Sequence, residues 1–426
     1  MLPTPAILET DPAGRSVPGY GTVPRGEGGS MMPREVVILS ACRTPVGRYL
    51  GSLTEVPAVR LGAVAIEEAV SRSQVDPDDV GEVVMGHVLQ AGLGQNTARQ
   101  AAVLGGLSND VPAMTVNKVC GSGLKAVELA AQSVALGDTE VAVGGGMESM
   151  SRAPYVLDRA RLGYRMGDGV LVDEMIKDGL WCAFTDVHMG ITAENVAERY
   201  GISREMQDVY AAESQRRAGA AIEAGKFESE IVPVDVPAGR KKTIQVDKDE
   251  HPRPDATVEQ LSGLRTAFKE GGTVTAGNAS GLNDAGAAVV VASRAYAEKN
   301  GLEPIATILG WSSAGLHPEI MGMGPYYATR RLLDKSGMSL DDFDFVEANE
   351  AFAAQTLAVA KELGLGADRT NVYGGAIALG HPIGASGTRV LVTLLSVLRQ
   401  EGGRTGLATL CIGGGQGIAM AVRAEG

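Results

Sequence analysis

From Arg34 onward, short β-branched runs alternate with amphipathic helices, and glycine marks most of the joins. Glu35 to Ser40 reads as a strand, Val59 to Ser71 as a helix, Val80 to Gly86 as a strand and Ala98 to Leu104 as a helix. Met114 to Val119, Ser122 to Leu136 and Val141 to Gly146 continue the pattern as strand, helix and strand. Such alternation predicts a layered α/β fold around a mostly parallel sheet. The rhythm breaks between residues 151 and 281, where charge clusters, helices from Thr192 to Tyr200 and Arg204 to Ala224, and a polar stretch from Gly239 to Pro254 read as an inserted, loop-rich domain. It returns at Leu302 and runs to the end.

A weak internal repeat joins the two flanks. Gly121-Ser122-Gly123, a helix, then Val141-Ala142-Val143-Gly144-Gly145-Gly146 parallels Ala385-Ser386-Gly387, a helix, then Leu410-Cys411-Ile412-Gly413-Gly414-Gly415. Two βα-rich halves of one unit would give a pseudo-symmetric pair of sheets. The first 31 residues stand outside the pattern. They are rich in Pro and Gly and are expected to be disordered, with Met31 or Met32 an alternative start.

Charge narrows the partners. A net charge of −13 argues against general affinity for nucleic acid or an anionic membrane. The longest apolar run, Val390 to Leu398, is far short of the ~18 residues of a membrane span. Four cysteines in 426 residues are too few for a disulfide scaffold and favour a reducing cytoplasm.

Three glycine-rich turns carry the chemistry. Cys120 stands between an expected strand and the helix opened by Gly121-Ser122-Gly123, where free amides and a positive helix end favour thiolate over thiol. The same residue would also fit as a small buried hydrophobe. His381 lies in Gly380-His381-Pro382-Ile383-Gly384, ahead of another helix, and is open to a structural reading as well. Cys411 precedes Gly413-Gly414-Gly415, whose bare amides could face an oxyanion. Asn349, in Glu347-Ala348-Asn349-Glu350, is either a polar site group or a helix cap. Arg152, Arg159, Arg161 and Arg165, and Arg240-Lys241-Lys242, are either solvated surface or phosphate-binding patches. Cys42, Cys120, Cys182 and Cys411 show no metal-ligand spacing, so no metal is expected.

With those residues assembled, the chain resembles the thiolases, and within them the acetyl-CoA acetyltransferases. The resemblance spans residues 34 to 424 and rests on four blocks in order: Asn117-Lys118-Val119-Cys120-Gly121-Ser122-Gly123, Asn349-Glu350-Ala351-Phe352, Gly380-His381-Pro382-Ile383-Gly384 and Cys411-Ile412-Gly413-Gly414-Gly415-Gln416-Gly417. It implies a five-layered α/β/α/β/α fold built of two duplicated halves. Residues 32–150 with 282–303 would form the first domain, 151–281 the loop domain and 304–426 the second domain. It implies Cys120 as acylated nucleophile, His381 as its base and Cys411 as the second acid/base. Asn349 and His381 would hold one oxyanion, and the amides of Cys120 and Gly413 the other. His188, Met189 and Met321 would line the acyl pocket, and Ser280 would touch the pantetheine arm.

The implied reaction joins two acetyl-CoA into acetoacetyl-CoA and CoA through an acetyl-cysteine. CoA is then substrate and product, and no further cofactor is implied. Relatives associate, and the Arg-bearing segment after Arg152 lies where a tetramer-forming loop occurs, so a homotetramer is expected. Cys182, His87 and His317 match no family role and are expected to be bystander, structural or exposed. The main rival is a degradative 3-ketoacyl-CoA thiolase of broader chain length, against which His188 argues. A relative that has lost catalysis would lack one of the Cys/His/Cys set. A papain-type protease would leave Cys411 and its glycines without a purpose.

Overall fold

The alternating strands gather into one ten-stranded sheet. A computed structural model describes residues 34–239 and 242–425, so the expected disorder of residues 1–31 and the Arg240-Lys241 pair lie outside the described residues. The main strands are β1 (Val36–Arg43), β2 (Val80–Gly86), β3 (Ala113–Val116), β4 (Val141–Ser149), β5 (Asn283–Ser293), β6 (Ala306–Gly315), β7 (Phe345–Ala348), β8 (Thr405–Ile412) and β9 (Gln416–Ala424), and the two-residue strand Gly47–Arg48 pairs with β5. The helices that position the site are α1 (Ala58–Ser73), α2 (Ser122–Leu136), α3 (Met189–Tyr200), α4 (Arg204–Glu223), α5 (Gly324–Ser336), α6 (Ala353–Leu363) and α7 (Ser386–Glu401).

The order β7-β8-β9-β6-β1-β5-β4-β2-β3 contains the repeat. Outward from β1 the pairings run antiparallel, antiparallel, parallel, parallel. Outward from β6 they run antiparallel, antiparallel, parallel, and a lone parallel bridge from Val346 to Thr370 stands where the last strand would be. The two halves join edge to edge, Val37 opposite Thr307 and Ile38 opposite Ala306, so the expected pair of sheets is one continuous sheet. With six antiparallel and three parallel pairings it is mostly antiparallel, not mostly parallel as expected, because the central strands of each half pair antiparallel and only the outer ones pair parallel.

Side-chain alternation then builds five layers. Val36 and Ile38 face an inner core with Leu124 and Val127 of α2 and Leu391 and Leu394 of α7, while Val37 and Leu39 face outward onto α1. In the second half, Ile418 and Met420 point inward, and Ala419 and Ala421 pack under Ala328 and Leu332 of α5. Strands buried on both faces read as continuous apolar runs, as here.

The two inner helices meet at glycines of the repeat. A Cβ on Gly123 would lie 2.8 Å from the amide nitrogen of Thr388, and one on Gly387 would collide with that of Leu124. Only glycine permits this approach, which brings both helix N-termini to the same place. Between β4 and β5, the chain leaves the layers for three two-stranded ribbons and α3 and α4. Buried Arg43 ties this segment to β1, with Nε to Glu230 at 2.6 Å and a fork onto Asp249 at 2.7 and 2.9 Å.

Candidate active site

β3 ends at Val116, not at Val119 as expected, because the chain turns there. Asn117 Oδ1 accepts the Val119 amide at 2.9 Å, and Val119, a β-branched residue, is held at φ 47°. That conformation is costly for such a side chain and persists only where its surroundings impose it. Ser122 closes the turn, accepting from the Lys118 amide at 2.8 Å and donating to Val119 O at 2.6 Å. Cys120 follows at the mouth of α2.

The expectation of a thiolate is corrected by the structure. Cys120 is buried, which pushes its thiol up to about 11, although the amides of Gly413 and of Cys120 itself hydrogen-bond the sulfur and oppose that rise. Cys411 is raised further, by burial and then by Cys120 beside it. Both sulfurs therefore rest as thiols. Desolvation outweighs the helix dipole here.

His381 is a neutral imidazole, brought down to about 3 by burial and then by the Arg389 cation. Its tautomer follows from its partner. Ser386 Oγ donates to Pro382 O at 2.8 Å, so it accepts from His381 Nδ1–H at 2.6 Å. Nε2 therefore carries a lone pair, buried and without a hydrogen-bond partner. Asn283 Oδ1 holds the His381 amide at 2.9 Å.

Asn349 is not a helix cap. The cap of α6 is Phe352, with no side-chain bond. Arg389, fully buried and donor-only, reaches Asn349 Oδ1 at 3.4 Å, which turns the Nδ2 donor the other way; that atom is buried and has no hydrogen-bond partner. Arg389 thus stands behind both Asn349 and His381.

The remaining expected residues divide around these turns. The Gly413 Cα position is within reach of Val119 and of Met189 Sδ, a Cβ there falling 3.4 and 3.3 Å away. Met189, Met321, Ala279, Phe352 and Cys182 pack with Cys411 in one apolar cluster. α3 starts at Met189, not Thr192, because His188 caps it through Nδ1, accepting from the Gly190 amide at 3.0 Å. The His188 ring stacks on Phe268 at 4.7 Å, and Phe268 meets Phe352 edge-on at 6.3 Å. The Ser280 amide donates to Ala351 O at 3.0 Å, which lays Ser280 along the Asn349–Phe352 loop.

Arg152 instead faces Thr54 O at 3.3 Å, and Arg159, Arg161 and Arg165 are exposed. His317 is exposed beside Glu319, whereas His87 is fully buried against Thr97 and Glu148. Ser386, Arg389, Glu148 and Phe268 were not singled out from sequence. Only Ser386 had a visible signal, as the repeat partner of Ser122. Among the described residues no group of three or more His, Cys, Asp or Glu could hold a metal ion.

Comparison with known proteins gives this arrangement a family. The profile described as "Thiolase, N-terminal domain" matches residues 36–295, and "Thiolase, C-terminal domain" matches residues 302–424. The chain belongs to the thiolase family. An acetyl-CoA acetyltransferase of Pseudomonas aeruginosa is 58% identical to this thiolase over 387 residues, covering 91% of this chain and 98% of the relative. One from Escherichia coli K12 is 56% identical over 390 residues, covering 91% and 99%. The crystal structure of the Bacillus anthracis acetyl-CoA acetyltransferase superposes with TM-score 0.91 at 45% identity, over 93% of this chain and 100% of that one.

Proposed function

We propose that this thiolase is an acetyl-CoA C-acetyltransferase working through an acetyl-thioester on Cys120. The observation that carries the reading is the convergence on one sulfur of two backbone donors, Gly413 and Cys120, beside a second thiol, with Ile383 of the loop that carries His381 packed against Cys120 and the His381 Nε2 free of partners. His381 Nε2 takes the Cys120 proton as the sulfur attacks the acetyl carbonyl. The oxyanion forms against the two amides. CoA leaves with the proton of Cys411, and the Cys411 thiolate then removes a proton from the methyl of a second acetyl-CoA. His381 Nε2–H and Asn349 Nδ2, through a water, hold the enolate oxygen while its carbon attacks acetyl-Cys120. Cys120 leaves as thiolate and regains its proton from His381, releasing acetoacetyl-CoA. CoA enters only as substrate and product.

His188, Met189, Met321 and Phe352 make a tight aromatic and thioether wall that suits a short acyl chain. The test is CoA-dependent loss of acetoacetyl-CoA beside an eight-carbon 3-ketoacyl-CoA. Faster turnover of the four-carbon substrate supports the reading, and preference for the longer one assigns the broader degradative class. The four free thiols support a cytoplasmic setting. Leu162, Met166, Val170 and Leu171, exposed on the segment after Tyr155–Val156, support a homotetramer. A dimer-sized mass by light scattering would remove that part.

A further inference from the structure

Glu148, near the end of β4, is a fully buried carboxylate that the scheme above does not use. Its Oε2 accepts the amides of Val88 at 3.2 Å and Gly384 at 3.0 Å, and its Oε1 accepts that of Leu89 at 3.3 Å. His87 Nε2 lies 3.3 Å from Oε1, off the line of a good hydrogen bond. A hydroxyl chain orients that ring. Thr115 donates to Asn96 Oδ1 at 3.0 Å, so Thr97 donates to Thr115 at 3.3 Å and accepts from His87 Nδ1–H at 2.9 Å, which leaves Nε2 without a proton to give Glu148.

The amides that Glu148 holds belong to the walls of the cysteine pocket. Val88, Leu89 and Ile383 pack with Cys120 in one apolar cluster, and Gly384 follows the loop that carries His381. Resting on the reading of Cys120 as nucleophile, we propose that Glu148 is a positioning residue for acyl transfer, clamping the 88–89 and 381–384 loops together. The carboxylate has a second consequence. Burial is the main reason that Cys120 rests as a thiol, and the nearby Glu148 charge adds a smaller push in the same direction. A thiol is slower to oxidise than a thiolate.

Glu148→Gln keeps the shape and removes the charge. Expected are a loss of about 10- to 100-fold in kcat from the loosened loops, with little change in KM for acetyl-CoA. The pH midpoint of Cys120 alkylation by iodoacetamide, followed by mass spectrometry, should fall; half a unit would raise the thiolate fraction about threefold. A merely structural carboxylate would leave that midpoint unmoved, and a folded variant with unchanged midpoint and kcat overturns the proposal. Should the variant not fold, Glu148→Asp decides: it keeps the charge but draws the carboxylate back from the Val88, Leu89 and Gly384 amides, so kcat should fall while the Cys120 midpoint stays, and unchanged kcat overturns the proposal. Acetylation of wild-type Cys120, measured alongside, tests the underlying reading separately, since its absence would remove the nucleophile whatever Glu148 does.

Discussion

Replacing Ser386 with alanine isolates the device that sets the His381 tautomer. The hydroxyl is the acceptor for Nδ1–H at 2.6 Å, inside a site from which water is largely excluded. Without it, that N–H is a buried donor with nothing to meet, at a cost of about 1–3 kcal/mol. The ring can escape the cost by carrying its proton on Nε2, and that form cannot take a proton from Cys120. A bias of this size lowers the base-competent population about 5- to 150-fold. The helix itself should be spared, because Pro382 O keeps the Ser386 and Ala385 amides at 2.8 and 2.9 Å. The assay is a single-turnover reaction with acetyl-CoA, following acetyl-Cys120 by mass. Ser386→Thr, which keeps a hydroxyl, should recover most of the rate. An alanine variant that folds and acetylates within twofold of wild type would refute the tautomer argument.

Three further outcomes are expected. Cys411→Ala should still form acetyl-Cys120 but lose condensation, so acyl-enzyme accumulates in rapid-quench samples; absence of that species would reverse the roles of the two cysteines. Gly387→Ala should destabilise the fold by about 1–3 kcal/mol in urea unfolding, because the added Cβ meets the backbone of Leu124 across the inner helix pair. Stability should also fall as pH drops below about 6.5 toward 4, since the unfolded chain takes up protons that buried His381, held near 3, and His251, held near 4, refuse. For groups whose folded pKa is depressed the stabilisation is complete above the unfolded value and lost below it, so His251→Asn should flatten the slope, and parallel curves would exclude it as a contributor.

The layered fold was legible because its causes are local. Continuous β-branched and apolar runs report burial on both faces of strands such as β1, and helical patterns with glycine at the joins mark what packs on them. The repeat was visible for the same reason, since Gly123 and Gly387 answer one steric demand twice. What escaped were groups whose partners lie far along the chain. Glu148 and Gly384 are 236 residues apart, and Asn349 and Arg389 are 40 apart. The end of β3 was misjudged because Val119 has strand propensity, yet the Asn117 side chain and the turn around Ser122 override it. The state of Cys120 was misjudged because a helix terminus can be read from sequence whereas the depth of burial cannot.

That depth explains why the site is arranged as it is. A preformed thiolate in this pocket would be opposed by desolvation and by Glu148, so the resting pair is thiol and neutral imidazole. Among the buried side-chain atoms without a protein hydrogen-bond partner are His381 Nε2 and Asn349 Nδ2. The proposed scheme gives both a partner as charge develops, Nε2 when it takes the thiol proton and both, Asn349 through a water, when an enolate oxygen forms. The inner helices serve the same end. Crossing at Gly123 and Gly387, they point two N-termini at one spot, and their dipoles act on anions that exist only along the reaction. Interactions strengthened in the transition state and weak at rest raise turnover without deepening substrate binding. The duplicated half-fold, by bringing equivalent turns face to face, supplies that arrangement from one structural unit used twice.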